Sequence, residues 1–353
     1  MDRKIHYRFL DALRGMSALS IVILHSLQAA EVRSYMPHAY LAVDFFFILS
    51  GFVIASANEG QLAAGRLSYG EFVRRRVLRL MPLSCLAVIL GCVFLILRTY
   101  AHVRTDPVPV IVGYSLVNLF LIPKLWVTQE PGDFVFPGNG SLWSLSCEMA
   151  INLVWARFLS GMRTSFLAVL VILSGAGIIL AFLHHHSLYL GPSIHDVWYG
   201  YLRAAYGFLA GVLVYRFRNV LRWNPLWPAL SFVLLSFVLF APVAGNAWTV
   251  PAVLFVLPAA VLFGSAAADR PVVRFDGFLG EMSYPLYVAQ GFFGFFIYAL
   301  ARKGVLSPVA IFLLSVSGCL LAGWFAWRYF DRPVTAWLKR HPLRLPSFRP
   351  ATL

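Results

Sequence analysis

Long apolar runs separated by short polar breaks repeat from one end of this chain to the other. Crossing a bilayer as a helix takes about 17–25 mostly apolar residues. Runs that meet this demand predict helices over residues 9–28, 41–57, 78–98, 142–159, 165–183, 201–217, 226–242, 248–264, 281–300 and 308–329. A further apolar stretch, 110–123, is shorter and carries prolines at 107, 109 and 123. The pattern predicts an all-α, polytopic transmembrane bundle of about ten spanning helices with one short re-entrant segment. No long linker, internal repeat or low-complexity tract divides the chain, so residues 1–353 read as one integral-membrane domain with no soluble domain attached.

Ionisable residues inside such runs cost a few kcal/mol each and mark pathways or reaction centres. The first run holds two, Arg14 and His25, eleven residues apart. Eleven helical steps return to within ~20° of the starting face after a rise of ~16 Å. The pair therefore shares one stripe, with Arg14 near one membrane surface and His25 well inside. Asp44 opens the second run, and Glu148 lies about two turns into the one that begins near Ser141.

Basic clusters mark cytoplasmic loops. The basic N-terminus, the arginines at 66–79, the loops at 157–163, 216–222 and 265–279, and the C-terminal tail all carry that sign. Residues 9–57 then form a helical hairpin, 99–141 faces outward, and both termini are cytoplasmic. On this topology His25, Asp44 and Glu148 are expected at similar depth on the outer side. Arg14 lies on the inner side.

Composition narrows the class. The chain is 60% hydrophobic with 12% charged residues and a net charge of +14, too little charge for a soluble domain. With no soluble domain to present a groove, nucleic acid is not an expected partner; the lipid bilayer is. Cys85, Cys92, Cys147 and Cys319 sit in apolar stretches without paired spacing and read as buried apolar residues. No metal site is expected, and His184, His185, His186 and His195 read as part of an interfacial belt with Tyr189, Trp198, Tyr199 and Tyr201. Ser50-Gly51 and the pair Gly207 and Gly211 fit close helix packing.

Five blocks in order resemble the integral-membrane acyltransferase family 3. They are Arg14 with ten residues before His25, Val43-Asp44-Phe45-Phe46-Phe47-Ile48-Leu49-Ser50-Gly51-Phe52, and Arg76-Val77-Leu78-Arg79. The others are Ser141-Leu142-Trp143-Ser144-Leu145-Ser146-Cys147-Glu148 and Gly280-Glu281-Met282-Ser283-Tyr284-Pro285-Leu286-Tyr287. Asp331-Arg332-Pro333 resembles the family's closing turn. The resemblance implies an O-acyltransferase of the bacterial inner membrane. It would move an acyl group, commonly acetyl, from cytoplasmic acyl-CoA to a hydroxyl of a sugar or glycan, with no metal. Where many relatives place a histidine after the second tyrosine of the last block, this chain has Gln290. That leaves His25 as the base.

The residue chemistry agrees. Transfer to an alcohol needs a group that takes the hydroxyl proton, and imidazole titrates near neutrality. His25 could act as that base or carry the acyl group itself. A carboxylate that orients the ring would help either route; Glu148 and Asp44 are the candidates, with Glu148 favoured because the family signature ends on it. Partnership with a buried arginine is the structural alternative for Glu148. Arg76 and Arg79, one turn apart, together with Arg14 are expected to hold the donor's phosphates. Trp143, Ser146, Tyr284 and Gln290 are the expected acceptor contacts. The rival class is a transporter or flippase of a glycan precursor, with Arg14, His25 and Glu148 as a polar path; thioester turnover by purified protein separates the two.

Overall fold

The computed structural model describes residues 6–32, 35–102, 106–130, 132–243, 245–270, 276–301, 304 and 306–341. The basic residues Arg3, Lys4, Arg344 and Arg349, used above for orientation, lie outside the described residues, as does part of the 265–279 loop. The described chain is helical, with one isolated antiparallel bridge between Phe134 and Ser193.

The helices are α1 (Arg8–Ala29), α2 (Ala42–Ala63), α3 (Tyr69–Tyr100), α4 (Val108–Asn118), α5 (Leu142–Val154), α6 (Thr164–His185) and α7 (Val197–Phe217). There follow α8 (Leu226–Phe240), α9 (Thr249–Ser265), α10 (Asp276–Ala301), α11 (Pro308–Phe325) and α12 (Arg332–Arg340). Each of the ten long apolar runs is helical over most of its length, and the short run 110–123 is helical as far as Asn118. Wide π turns extend α5 over Trp155–Leu159, interrupt α9 over Ala252–Val256 and join α11 to α12 over Ala326–Asp331. Among the described residues, six of the helical stretches are long and apolar enough to cross a membrane by length and composition. With 11 residues, α4 rises only ~16 Å, half a bilayer core.

Helix α3 starts nine residues before the apolar run that predicted it. Ser68 caps it by accepting from the Glu71 amide at 3.2 Å, and Glu71 binds Arg74 at 2.7 Å and Arg75 at 3.0 Å. Local capping and charge pairs carry the helix into polar sequence, which places the arginine cluster on a helix and turns Arg76 and Arg79 toward the bundle.

Two helix pairs dominate the packing, α2 on α7 and α1 on α10. Both depend on glycine. A Cβ on Gly51 would overlap the Phe208 carbonyl, and one on Gly211 the Ile48 carbonyl, so α2 and α7 touch backbone to backbone. On α1, a Cβ at Gly15 would lie 2.6 Å from Leu279 Cβ, while one at Gly280 would lie 2.7 Å from Asp11 Cβ. These contacts bring Arg14 against the first turns of α10.

The segment between α4 and α5 is buried in part and closed by polar contacts. Lys124, fully buried, donates to the Trp126 carbonyl at 2.9 Å and to Thr128 Oγ1 at 3.0 Å. Burial pushes its pKa down, against the carboxylates of Asp106, Asp133 and Glu130. The segment then dips inward: Val135, Phe136, Asn139 and Ser141 are all buried before α5 begins.

Candidate functional site

A cavity of about 150 Å³ lies among α1, α2, α3, α5 and α10. Its lining along α2 runs from Val43 to Ile54, a rise of ~16 Å. One end is charged and the other is largely apolar.

The charged end is built from Arg14, Arg76, Arg79 and Glu148, with Ser50, Ser283 and Tyr284. Arg14 is held by the α1–α10 contact: Nε donates to Ser283 Oγ at 2.9 Å, Nη2 to the Gly280 carbonyl at 2.7 Å, and Asp11 pairs with it at 3.0 Å. Arg76 Nη2 donates to Glu148 Oε1 at 3.0 Å, and the Ser50 hydroxyl donates to the same oxygen at 2.8 Å. Arg76 Nε is buried without a hydrogen-bond partner among the described residues. Arg79 pairs with Asp331 at 3.2 Å and stacks over the Tyr284 ring at 5.0 Å. The Tyr284 hydroxyl meets Ser84 Oγ at 3.1 Å.

At the apolar end, Tyr287 and Ser144 share a hydrogen bond of 2.7 Å, and Phe46 stands edge-on to Tyr287 with ring centroids 5.7 Å apart. Three guanidiniums around one opening suit a polyanionic ligand, because charge-assisted, two-pronged contacts to phosphate are strong.

Glu148 lies at the Arg14 end, not at the expected depth of His25. Its partners put it there, two turns beyond the buried Ser141 at the start of α5. Glu148 answers Arg76 and Ser50 there. His25 does not line the cavity. Its Nδ1 is bonded to Gln28 Oε1 at 2.9 Å, and Gln28 neighbours the Tyr189 hydroxyl.

Asp44 sits toward the His25 end, yet it belongs to an ion pair. Arg203 donates from Nε to Oδ1 at 3.0 Å and from Nη2 to Oδ2 at 2.6 Å, with side chains 4% and 1% exposed. Trp143 lies under that guanidinium, 5.6 Å away, and packs on Gly200 instead of lining the cavity. Ser146 bonds the Tyr201 hydroxyl at 3.0 Å. Gln290 is buried, with Nε2 donating to Ser141 Oγ at 3.3 Å and Oε1 unpartnered among the described residues. Of the expected acceptor contacts, only Tyr284 lines the cavity.

Arg203 was not singled out from sequence, and Asp331, Ser50, Ser144 and Tyr287 stood there only within the quoted motifs, with no site role. An arginine within the apolar run 201–217 was itself a signal; the hydroxyls gave none. Among the described residues no group of three or more His, Cys, Asp or Glu is placed to hold a metal ion. His185 packs on Tyr199 at 4.7 Å, and His195 pairs with Asp133 at 3.3 Å.

A family model described as an acyltransferase domain matches residues 7–328. The chain belongs to the acyltransferase 3 family. It is similar to "Protein 2 in picA locus" of Rhizobium radiobacter, 34% identical over 182 residues, covering 48% of this chain and 91% of that protein. It is 27% identical over 164 residues to the Bacillus subtilis (strain 168) protein YrhL, covering 44% of this chain and 24% of that one. With the peptidoglycan O-acetyltransferase OatA of Listeria monocytogenes serovar 1/2a it shares 24% identity over 160 residues. That match covers 42% of this chain and 24% of OatA, so the chain spans about a quarter of YrhL and of OatA. No solved structure matches the chain. In this family context the arginine-lined cavity is the place to look for acyl-donor recognition.

Proposed function

We propose that this membrane acyltransferase takes an acyl group, acetyl in the first instance, from cytoplasmic acyl-CoA to a hydroxyl of a sugar or glycan at the inner membrane of a bacterium. The observation that carries the reading is the cavity itself, with Arg14, Arg76 and Arg79 at one end and a path of ~16 Å along α2 toward the end of α1 that bears His25. That length suits a donor that enters from one face with its phosphates and reacts near the other. Arg76 offers its unpartnered Nε to phosphate, and Glu148 holds the guanidinium through Nη2.

His25 is proposed as the base or the acyl carrier. In direct transfer its free ring nitrogen takes the acceptor's hydroxyl proton while that oxygen bonds to the thioester carbonyl carbon. The carbon–sulfur bond breaks, and the departing thiolate receives the proton. In the two-step route the imidazole nitrogen bonds to the thioester carbon as the carbon–sulfur bond breaks and the thiolate leaves. The acceptor oxygen then bonds to that carbon as the carbon–nitrogen bond breaks, and the hydroxyl proton ends on the thiolate. Gln28, bonded to Nδ1, leaves Nε2 for either task.

The test is kinetic. Arg76→Ala with Arg79→Ala is expected to raise the Michaelis constant for the donor at least tenfold more than that for the acceptor, since one lost charge-assisted contact is worth about 1.5–3 kcal/mol. His25→Ala is expected to abolish transfer with the protein's thermal stability unchanged. Purified wild-type protein that turns over no thioester would favour the transporter class instead.

A further inference from the structure

We infer that Phe46 is a movable septum between the arginine-lined cavity and the His25 end of α1, and that its ring sets the length of acyl group the site accepts. The inference rests on the acyl-donor reading above and names the residue that would make that site selective.

Three consecutive phenylalanines open α2, and they are not equivalent. Phe45 and Phe47 are buried at 0% and 2% exposure, whereas Phe46 is only half-buried and forms part of the cavity wall. One side of its ring meets Tyr287 edge-on at 5.7 Å. The ring also packs on a small apolar cluster of Ala18, Val22, Leu286 and Cys319. Val22 is about one helical turn before His25 on α1. Phe46 therefore stands, along α1, between the level of Arg14 and that of His25.

The two aromatic walls differ in freedom. Tyr287 is tied through its hydroxyl to Ser144 at 2.7 Å. The Phe46 side chain has no polar atom to hold it, so rotation about its side-chain bonds costs only packing. With the ring in place, the apolar end has room for a short acyl group. A longer chain needs the ring displaced into the Val22 cluster, against a tightly packed neighbour. Apolar pockets discriminate by roughly tenfold or more per methylene through this kind of contact. Phe46 is thus a specificity-determining residue in the wall of the path, distinct from the groups that hold phosphate.

The experiment reads the septum and the length selectivity separately, using purified full-length wild type, Phe46→Ala and Phe46→Leu. Cys319 lies behind the ring and reports its opening through modification by an anionic, water-soluble methanethiosulfonate, located by mass spectrometry. Phe46→Ala is expected to raise the Cys319 rate about tenfold, with Phe46→Leu between. Cys147, fully buried on α5, should stay slow. An unchanged Cys319 rate, or an equal rise at Cys147, would overturn the septum.

Equilibrium binding of radiolabelled acetyl-CoA and hexanoyl-CoA needs no acceptor and reads the length. The hexanoyl-to-acetyl affinity ratio is expected to rise about tenfold in Phe46→Ala. A ratio unchanged from wild type would overturn the length role with the donor reading intact. Failure of wild type to bind either thioester would overturn both, and Cys319 would still show whether the ring closes the cavity.

Discussion

Asp44 and Arg203 face each other with two hydrogen bonds and almost no solvent. Removing one partner of such a pair leaves a buried charge unanswered, which costs about 3–5 kcal/mol. Asp44→Asn is therefore expected to lower thermal stability sharply, while Asp44→Leu combined with Arg203→Met recovers most of the loss. If the double variant melts no higher than the single one, the pair is not what holds α2 and α7 at that depth. The contrast with Glu148 is instructive. Both carboxylates were legible as unusual because each lies in an apolar run, and both answer an arginine. Only Glu148 does so beside an open cavity, where Arg76 keeps an unused donor. The same chemistry is structural in one place and available to a ligand in the other.

Helices α2 and α7 approach closely because Gly51 and Gly211 present no side chain to the opposing carbonyls of Phe208 and Ile48. Gly51→Ala and Gly211→Ala should each cost at least the 1–3 kcal/mol typical of overpacking, read as a lower melting temperature and less folded protein. Gly60→Ala, late in the same α2 with nothing within 4 Å of the added carbon, is the control. It should be neutral or stabilising by about 0.5–1 kcal/mol; a loss equal to that at Gly51 would argue against close approach as the cause. This contact has a consequence for the cavity. It fixes the rotation of α2, so that Val43, Phe46, Ser50 and Val53 face inward along one side. The Gly207-x-x-x-Gly211 spacing announced a close approach, but the spacing named no partner helix.

Over the whole molecule, the arginine-lined opening belongs at the cytoplasmic surface if the basic loops orient the bundle. Val127, exposed in the segment between α4 and α5, and Gly161, exposed after α5, sit on loops of opposite expected sidedness. Val127→Cys is expected to react with a membrane-impermeant maleimide on intact cells, and Gly161→Cys only after permeabilisation. The reverse order would invert the bundle and place the arginines away from cytoplasmic thioesters.

The amino-acid sequence alone determined where the helices lie, which ionisable residues interrupt them and which family they resemble. Hydrophobic periodicity and the cost of charge in lipid act along the chain, so both can be read without a fold. It also placed Arg14, Arg76 and Arg79 as a group, because helical spacing and the positive-inside rule are equally local. Tertiary structure alone decided who answers whom: Glu148 with Arg76, Asp44 with Arg203, Arg79 with Asp331, and Phe46 with the Val22 cluster. Those pairings depend on the relative rotation and depth of separate helices. Glycine contacts and the buried approach to α5 set both, and neither leaves a periodic trace in the chain.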